Sequence, residues 1–311
     1  MTPAILSLDD RRTERGPVGA KAHTLARLRR HGFQVPDGFV LTAGFPTPGA
    51  PGAFPPQEAS ARARLAAACR AWIGPDPDVP LAVRSSARAE DGPALSYAGQ
   101  FVSVLDVRGT DALAAAVARC RAGASDGRAE RYRRRMDGRE ERTNGHRGEG
   151  EAEDAGEGEN GGEGGASAPV APAMPVLVQR MVRPEWAGVL FSVDPVRPDP
   201  AVLVVDAAPE SAASVCDGTA NPLRYRVDRV SLTVLDGPGP DAGPAPGTAL
   251  IAEVARTGLA LERVLGGPQD VEWATDSGAV PEVTVLQSRA VTTLPTSSGP
   301  AATVAETLSW L

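Results

Sequence analysis

The chain has 311 residues, 42% hydrophobic and 23% charged, an ordinary composition for one large globular domain or two smaller ones. A net charge of −7 argues against a general nucleic-acid binder. No apolar run approaches the ~20 residues of a membrane helix, and the N-terminus turns charged too soon for a signal-peptide core, so the expected compartment is the cytoplasm.

Residues 17–31 read as a helix: Pro17 suits its first position, Leu25 and Leu28 share a face, Arg29 and Arg30 suit the C-terminal end, and Gly32 stops it. A turn at Pro36-Asp37-Gly38 leads to a short strand, Phe39 to Thr42. Residues 43–59, rich in Pro, Gly and Ala, read as loop, and 60–73 as an Ala- and Arg-rich helix. Strands are expected at Leu81 to Arg84 and Phe101 to Val107, with a polar loop from Ser85 to Gln100 between them. A helix follows over 111–136. Residues 137–172 hold Gly, Glu, Ala and Pro with almost no bulky apolar side chain, the composition of a disordered insert.

Strands resume at Pro175 to Val182, Ala187 to Val193 and Ala201 to Ala207, with weaker ones at Tyr225 to Asp228 and Leu232 to Leu235. A helix from Thr248 to Leu265 sets Leu250, Val254, Leu261 and Leu265 on one side, and Gly266-Gly267 ends it. The last strands lie around Val271 to Ala274 and Val283 to Ala290. Helices mixed with a majority of antiparallel strands, without regular βαβ alternation or an internal repeat, indicate an α+β fold.

Cys69, Cys120 and Cys216 fit no zinc or redox spacing and read as structural thiols; His23, His31 and His146 are equally scattered. The informative residues are polar ones inside apolar strands. Side chains two apart share a strand face, so Asp270 lies with Glu272 and Gln287 with Arg289. Buried polar groups are costly unless they meet each other or a ligand. Two readings follow: an internal ion-pair network, or hard oxygen ligands for Mg²⁺ with an arginine facing phosphate. Lys21 after Gly19-Ala20 and Arg84 before Ser85-Ser86 add two cations, and small and polar residues in the loop after Arg84 can offer backbone N–H groups to phosphate.

The stretches VGAKAHTLARLRRHGFQVPDGFVLT, LAVRSSARAEDGPALSYAGQF, MPVLVQRMVRPEWAGVLFSVDP and GGPQDVEWATDSGAVPEVTVLQSRAVT, with the shorter RYRRRM and RYRVDR, occur in this order between residues 17 and 294. Together they resemble the N-terminal ATP-binding domain of the phosphoenolpyruvate synthase, pyruvate phosphate dikinase and rifampin phosphotransferase family. The resemblance implies an ATP-grasp fold over residues 1–295, two lobes of mixed, mostly antiparallel sheet clasping ATP, followed by a tail at 296–311.

Carried over by motif position, Lys21, Arg84 and Arg289 would contact ATP phosphates and act in catalysis. Glu272 and Gln287 would ligate Mg²⁺ with Asp270 close by, Gln179 would line the adenine pocket, and Gly99 and Gln100 would close over the phosphates. Three motif positions depart from the family: Ala20 replaces a glycine, Arg88 a threonine, and Ala208 to Ala213 a glycine-rich segment. Family enzymes hand phosphate to a histidine on a swivelling domain, and none of the three histidines lies in such a motif. The expected activity is therefore an ATP- and Mg²⁺-dependent phosphotransferase passing phosphate to a histidine-domain partner in trans. A self-sufficient small-molecule kinase and a non-catalytic nucleotide-binding module are the alternatives.

Overall fold

The computed structural model describes residues 3–14, 17–48, 55–87, 102–123, 174–196, 199–209, 222–239, 242–275 and 282–291. The chain divides into two compact units. The first comprises Met1–Ala22, Asp37–Glu90 and Tyr97–Met181; the second comprises His23–Pro36, Asp91–Ser96 and Val182–Leu311.

The first unit is built on a five-stranded sheet of order β1-β2-β5-β3-β4: β1 (Ile5–Ser7), β2 (Gly38–Leu41), β3 (Leu81–Ser85), β4 (Ser103–Val107) and β5 (Val176–Arg180). Every pairing in it is antiparallel. The period-2 alternation of the strands sends Phe39, Leu41, Val83, Val176 and Val178 to one face, where they join a core with helices α2 (Pro55–Trp72) and α3 (109–123). α2 has no strong apolar stripe in its sequence, yet Ala61, Leu65 and Ala68 recur at helical spacing and are buried. From α3 come Leu113, Val117 and Cys120.

Arg121, 6% exposed, clamps the loop after β2. Its guanidinium donates to the carbonyls of Phe45 (2.6 Å), Thr42 (3.0 Å) and Met174 (3.2 Å) and to Thr47 Oγ1 (2.8 Å). Burial pulls that guanidinium down to about 10.

The second unit holds a six-stranded, fully antiparallel sheet of order β11-β10-β6-β7-β8-β9. Its strands are β6 (Trp186–Phe191), β7 (Val202–Pro209), β8 (Leu223–Asp228), β9 (Val234–Asp236), β10 (Gln269–Thr275) and β11 (Val283–Ala290). Helix α4 (Thr248–Leu265) packs on one face through Leu250, Ile251, Val254, Ala255, Gly258 and Leu261. The helix and sheet approach so closely at Gly258 that an added Cβ would fall 2.0 Å from Leu190 Cδ2. α4 ends as expected, on Gly266 in the left-handed region (φ 86°), whose N–H donates to the Glu262 carbonyl.

The α+β class and nearly every expected element are present, with four differences. Helix α1 runs from Ala20 to Arg30, so Pro17 precedes it and is not its first residue. α2 starts at Pro55 rather than at residue 60, because proline is tolerated in a helix's first turn. β1 and the 3₁₀ turn Arg11–Glu14 are additional; β1 is a three-residue edge strand held by its pairing to β2 and by buried Leu6, too short to show a period of its own. The expected insert at 137–172, the tail and Cys216 lie outside the described residues. No described helix is long and apolar enough to cross a membrane.

Candidate functional site

In the first unit the start of α1 is docked onto the end of β3. Gly19 takes φ 79°, and a Cβ there would fall 1.7 Å from the Ser86 carbonyl oxygen, so only glycine fits. The Ala20 N–H donates to the Ala87 carbonyl (3.1 Å) and the Ala22 N–H to Ser86 Oγ (3.2 Å). Two of the helix's unpaired N–H groups are satisfied by these bonds. They also bring Lys21, 8% exposed, beside the segment that follows Arg84.

Arg84 and Gln179 stand on the sheet face opposite the α2–α3 core. Arg84 registers with Leu177, and Gln179 with Ala82 and Gly38, which makes Arg84 and Gln179 diagonal neighbours on adjacent strands. Gln179 is 3% exposed, a buried amide on an otherwise apolar strand. Gly38 makes room for it: a Cβ there would meet Gln179 Cγ at 2.8 Å. Gly99 and Gln100 lie outside the described residues.

In the second unit the β10–β11 pairing sets Asp270 opposite Arg289 and Glu272 opposite Gln287. Directly opposed residues point to one face, so all four expected side chains share it. A register shift at Glu272/Trp273 follows immediately, where Trp273 pairs with Val285 and Leu286 is passed over. On the opposite face a buried chain holds the register: the Gln269 N–H donates to Ser192 Oγ (2.8 Å), and Ser288 Oγ donates to Gln269 Oε1 (3.0 Å).

Arg289 contacts Asp270 Oδ2 through Nε and Nη2, both at 2.7 Å. Burial pushes the Asp270 carboxyl above its ordinary range; Arg289 opposes this and nearby Glu272 adds to it. Both readings of this face thus have a physical basis. Arg289 and Asp270 form the ion pair, and two carboxylates with an amide stand side by side. Among the described residues no cluster of three or more His, Cys, Asp or Glu forms a closed metal cage. The set fits Mg²⁺, which takes one or two carboxylates and fills its remaining positions with water and substrate phosphate.

The same face carries charges that the sequence reading passed over. The row through Glu272 continues to Val189, Asp206 and Arg224, and the row through Asp270 to Phe191, Val204 and Arg226. Arg224 grips Asp206 with two bonds, 2.7 and 2.6 Å. The available signal was the alternation in Leu223-Arg224-Tyr225-Arg226-Val227, which puts both arginines on one side of β8.

His23 and His31 are exposed, and His146 lies outside the described residues. Burial pushes the Cys69 thiol up to about 11, against the opposing charge of Arg70, and buried Cys120 faces the carbonyls of Val83 and Val102, as expected of structural thiols.

Comparison with known proteins bears on these two sets of residues. The chain is 29% identical over 248 residues to the phosphoenolpyruvate synthase of Pyrococcus furiosus, covering 70% of this chain and 26% of that one. It is 31% identical over 234 residues to a rifampicin phosphotransferase of a Streptomyces species, covering 68% and 23%. The chain thus spans about a quarter of the length of these relatives. Among solved structures, D-alanine–D-alanine ligase from Bacillus anthracis overlaps 91% of this chain and 59% of its own, at 13% identity and a TM-score of 0.33, too loosely to carry weight. The model for the pyruvate phosphate dikinase AMP/ATP-binding domain matches residues 53–238, more than half the chain and including Arg84 and Gln179. This protein belongs to the pyruvate phosphate dikinase AMP/ATP-binding domain family.

Proposed function

We propose that the chain is the ATP-binding portion of a cytoplasmic, phosphoenolpyruvate synthase-like phosphotransferase, with an ATP-grasp fold and a histidine-bearing carrier domain as its acceptor in trans. The observation that carries this reading is the register of β10 and β11, which gathers Asp270, Glu272, Gln287 and Arg289 onto one face. Family membership supports the nucleotide, and the donor set supports the metal.

In this reading Lys21 and Arg84 bind the triphosphate as fixed cations, and Gln179 lines the adenine pocket with its amide. Glu272 and Gln287 hold Mg²⁺, with Asp270 beside them; the ion supplies neutralisation of charge on the phosphate oxygens. Arg289 exchanges part of its contact with Asp270 for a phosphate oxygen, and the segment carrying Gly99 and Gln100 closes over the phosphates to exclude water. Positioning and electrostatics carry such a transfer, so no nucleophile of this chain's own is required.

The test is calorimetric titration with ATP, with and without Mg²⁺, of the wild type and of Glu272→Ala. The wild type is expected to bind Mg-ATP, and the variant to lose at least about tenfold in affinity, since a carboxylate ligand is hard to replace. Equal titrations would remove Glu272 from the metal site. Chromatography of nucleotide products after adding a histidine-domain protein then separates the readings: AMP identifies dikinase chemistry, ADP a simple kinase, and no turnover a silent binder.

A further inference from the structure

On the polar face of the six-stranded sheet, beyond Asp270, the second unit contains a pocket of about 120 Å³ lined by Phe191, Asp194, Val204, Arg224 and Arg226, with Pro195 and Val196 beside them. We propose that this pocket binds a small organic anion, a phosphate monoester or carboxylate carrying one ring-sized apolar group. This inference does not depend on the nucleotide reading.

Three observations converge on it. The first is the state of Arg226. Its neighbours Tyr225 and Val227 are buried on the α4 side, so its own side chain projects to the pocket side, where it is 24% exposed. Among the described residues its Nε is buried without a hydrogen-bond partner, and its contact with Asp194 is a 3.8 Å ion pair, too long for a hydrogen bond. The long pairing with Asp194 leaves the exposed part of the Arg226 guanidinium available to an anion's oxygens. The second is that Arg224 is already held in place. Its two bonds to Asp206 leave a pre-oriented guanidinium at the pocket wall, whose remaining N–H groups can donate without further ordering. The third is the floor: Phe191 and Val204 are apolar where the flanking positions are charged, which no ion alone requires. A closed cavity of about 150 Å³ holds a whole benzene, so about 120 Å³ open on one side takes most of a single ring or a short aliphatic body.

Phe191 registers directly with Asp270, and Val204 with Phe191. The pocket therefore starts one strand, roughly 5 Å, from the carboxylate pair, and Arg226 stands three strands, roughly 14 Å, from Asp270. The two sites are separate, and a variant in one tests the other.

Phenyl phosphate, benzoate and inorganic phosphate serve as probes in calorimetric or NMR titrations of the full chain without nucleotide. Phenyl phosphate and benzoate are expected to bind, each at least several-fold more tightly than inorganic phosphate; the tighter of the two identifies the head group. Arg226→Gln should weaken both at least tenfold, whereas Asp194→Asn, which removes the competing carboxylate and keeps the oxygen that accepts the Val196 N–H, should tighten both several-fold. Opposite signs from two substitutions cannot come from general loss of structure. Glu272→Ala should leave both affinities unchanged even if it abolishes Mg-ATP binding. Binding indifferent to Arg226→Gln and Asp194→Asn, or inorganic phosphate binding as tightly as phenyl phosphate, would overturn the proposal.

Discussion

The two sheets solve the same problem in different ways. Each buries one face against helices and leaves polar side chains on the other. On the five-stranded sheet backbone docking and register place the cations: Lys21 by the docking of Gly19 to Ala22 against Ser86 and Ala87, and Arg84 on a strand whose register partners are Leu177 and Ser103. On the six-stranded sheet the polar groups are many and hold one another, Arg289 with Asp270 and Arg224 with Asp206. A buried carboxylate needs a cation beside it, because an unpaired buried charge is expensive.

The contrast can be broken most severely at Gly19. In Gly19→Ala the added Cβ meets the Ser86 backbone, which cannot rotate away, and the residue must also hold a positive φ. A loss of about 3 kcal/mol or more is expected, seen as a fall in thermal midpoint of at least about 6 °C. An unchanged midpoint would show that the α1 docking is not rigid.

Ser86→Ala probes the same docking more gently by removing the acceptor of the Ala22 N–H. It should cost about 1 kcal/mol in denaturant unfolding and weaken ATP binding through the displacement of Lys21. Full ATP affinity in that variant would detach Lys21 from the phosphates.

Asp270→Asn sharpens the other side of the comparison. Because the folded pKa of Asp270 is raised, its contribution to stability is fully present below the ordinary carboxylate range and is lost as pH rises through the raised value. Relative to wild type, Asp270→Asn should therefore gain stability between acid and neutral pH in unfolding curves measured at several pH values. A difference that runs the other way would mean that Arg289 outweighs desolvation. The smallest effect is expected at Asp206→Asn. Arg224 is 60% exposed and water can replace the lost charge, so the cost should be about 1 kcal/mol or less by denaturant melts.

Much of this was legible in the sequence. The 3.6-residue period and terminal Gly266-Gly267 delimited α4, and β11 fell on Val283 to Ala290 because apolar residues and polar exceptions alternate there. The strand period alone paired Asp270 with Glu272 and Gln287 with Arg289, since successive side chains on a strand alternate faces. That Arg289 would face Asp270, with Glu272 opposite Gln287, required the cross-strand register, which no local period encodes. The start of α1 is a similar case. Pro17 is a good local signal, but the steric fit of Gly19 against Ser86, 67 positions along the chain, decides where the helix begins.

The sequence by itself therefore determined element types, the face each polar residue occupies on its own strand, and the family. Strand order and register decided which faces meet across strands, aligning Arg226 with Val204, Phe191 and Asp270 in one row beside the pocket. The physical reason is range. Backbone periodicity is local, whereas hydrogen-bonded pairing and close packing join residues far apart in the chain, and only their joint solution places one strand's side chains against another's.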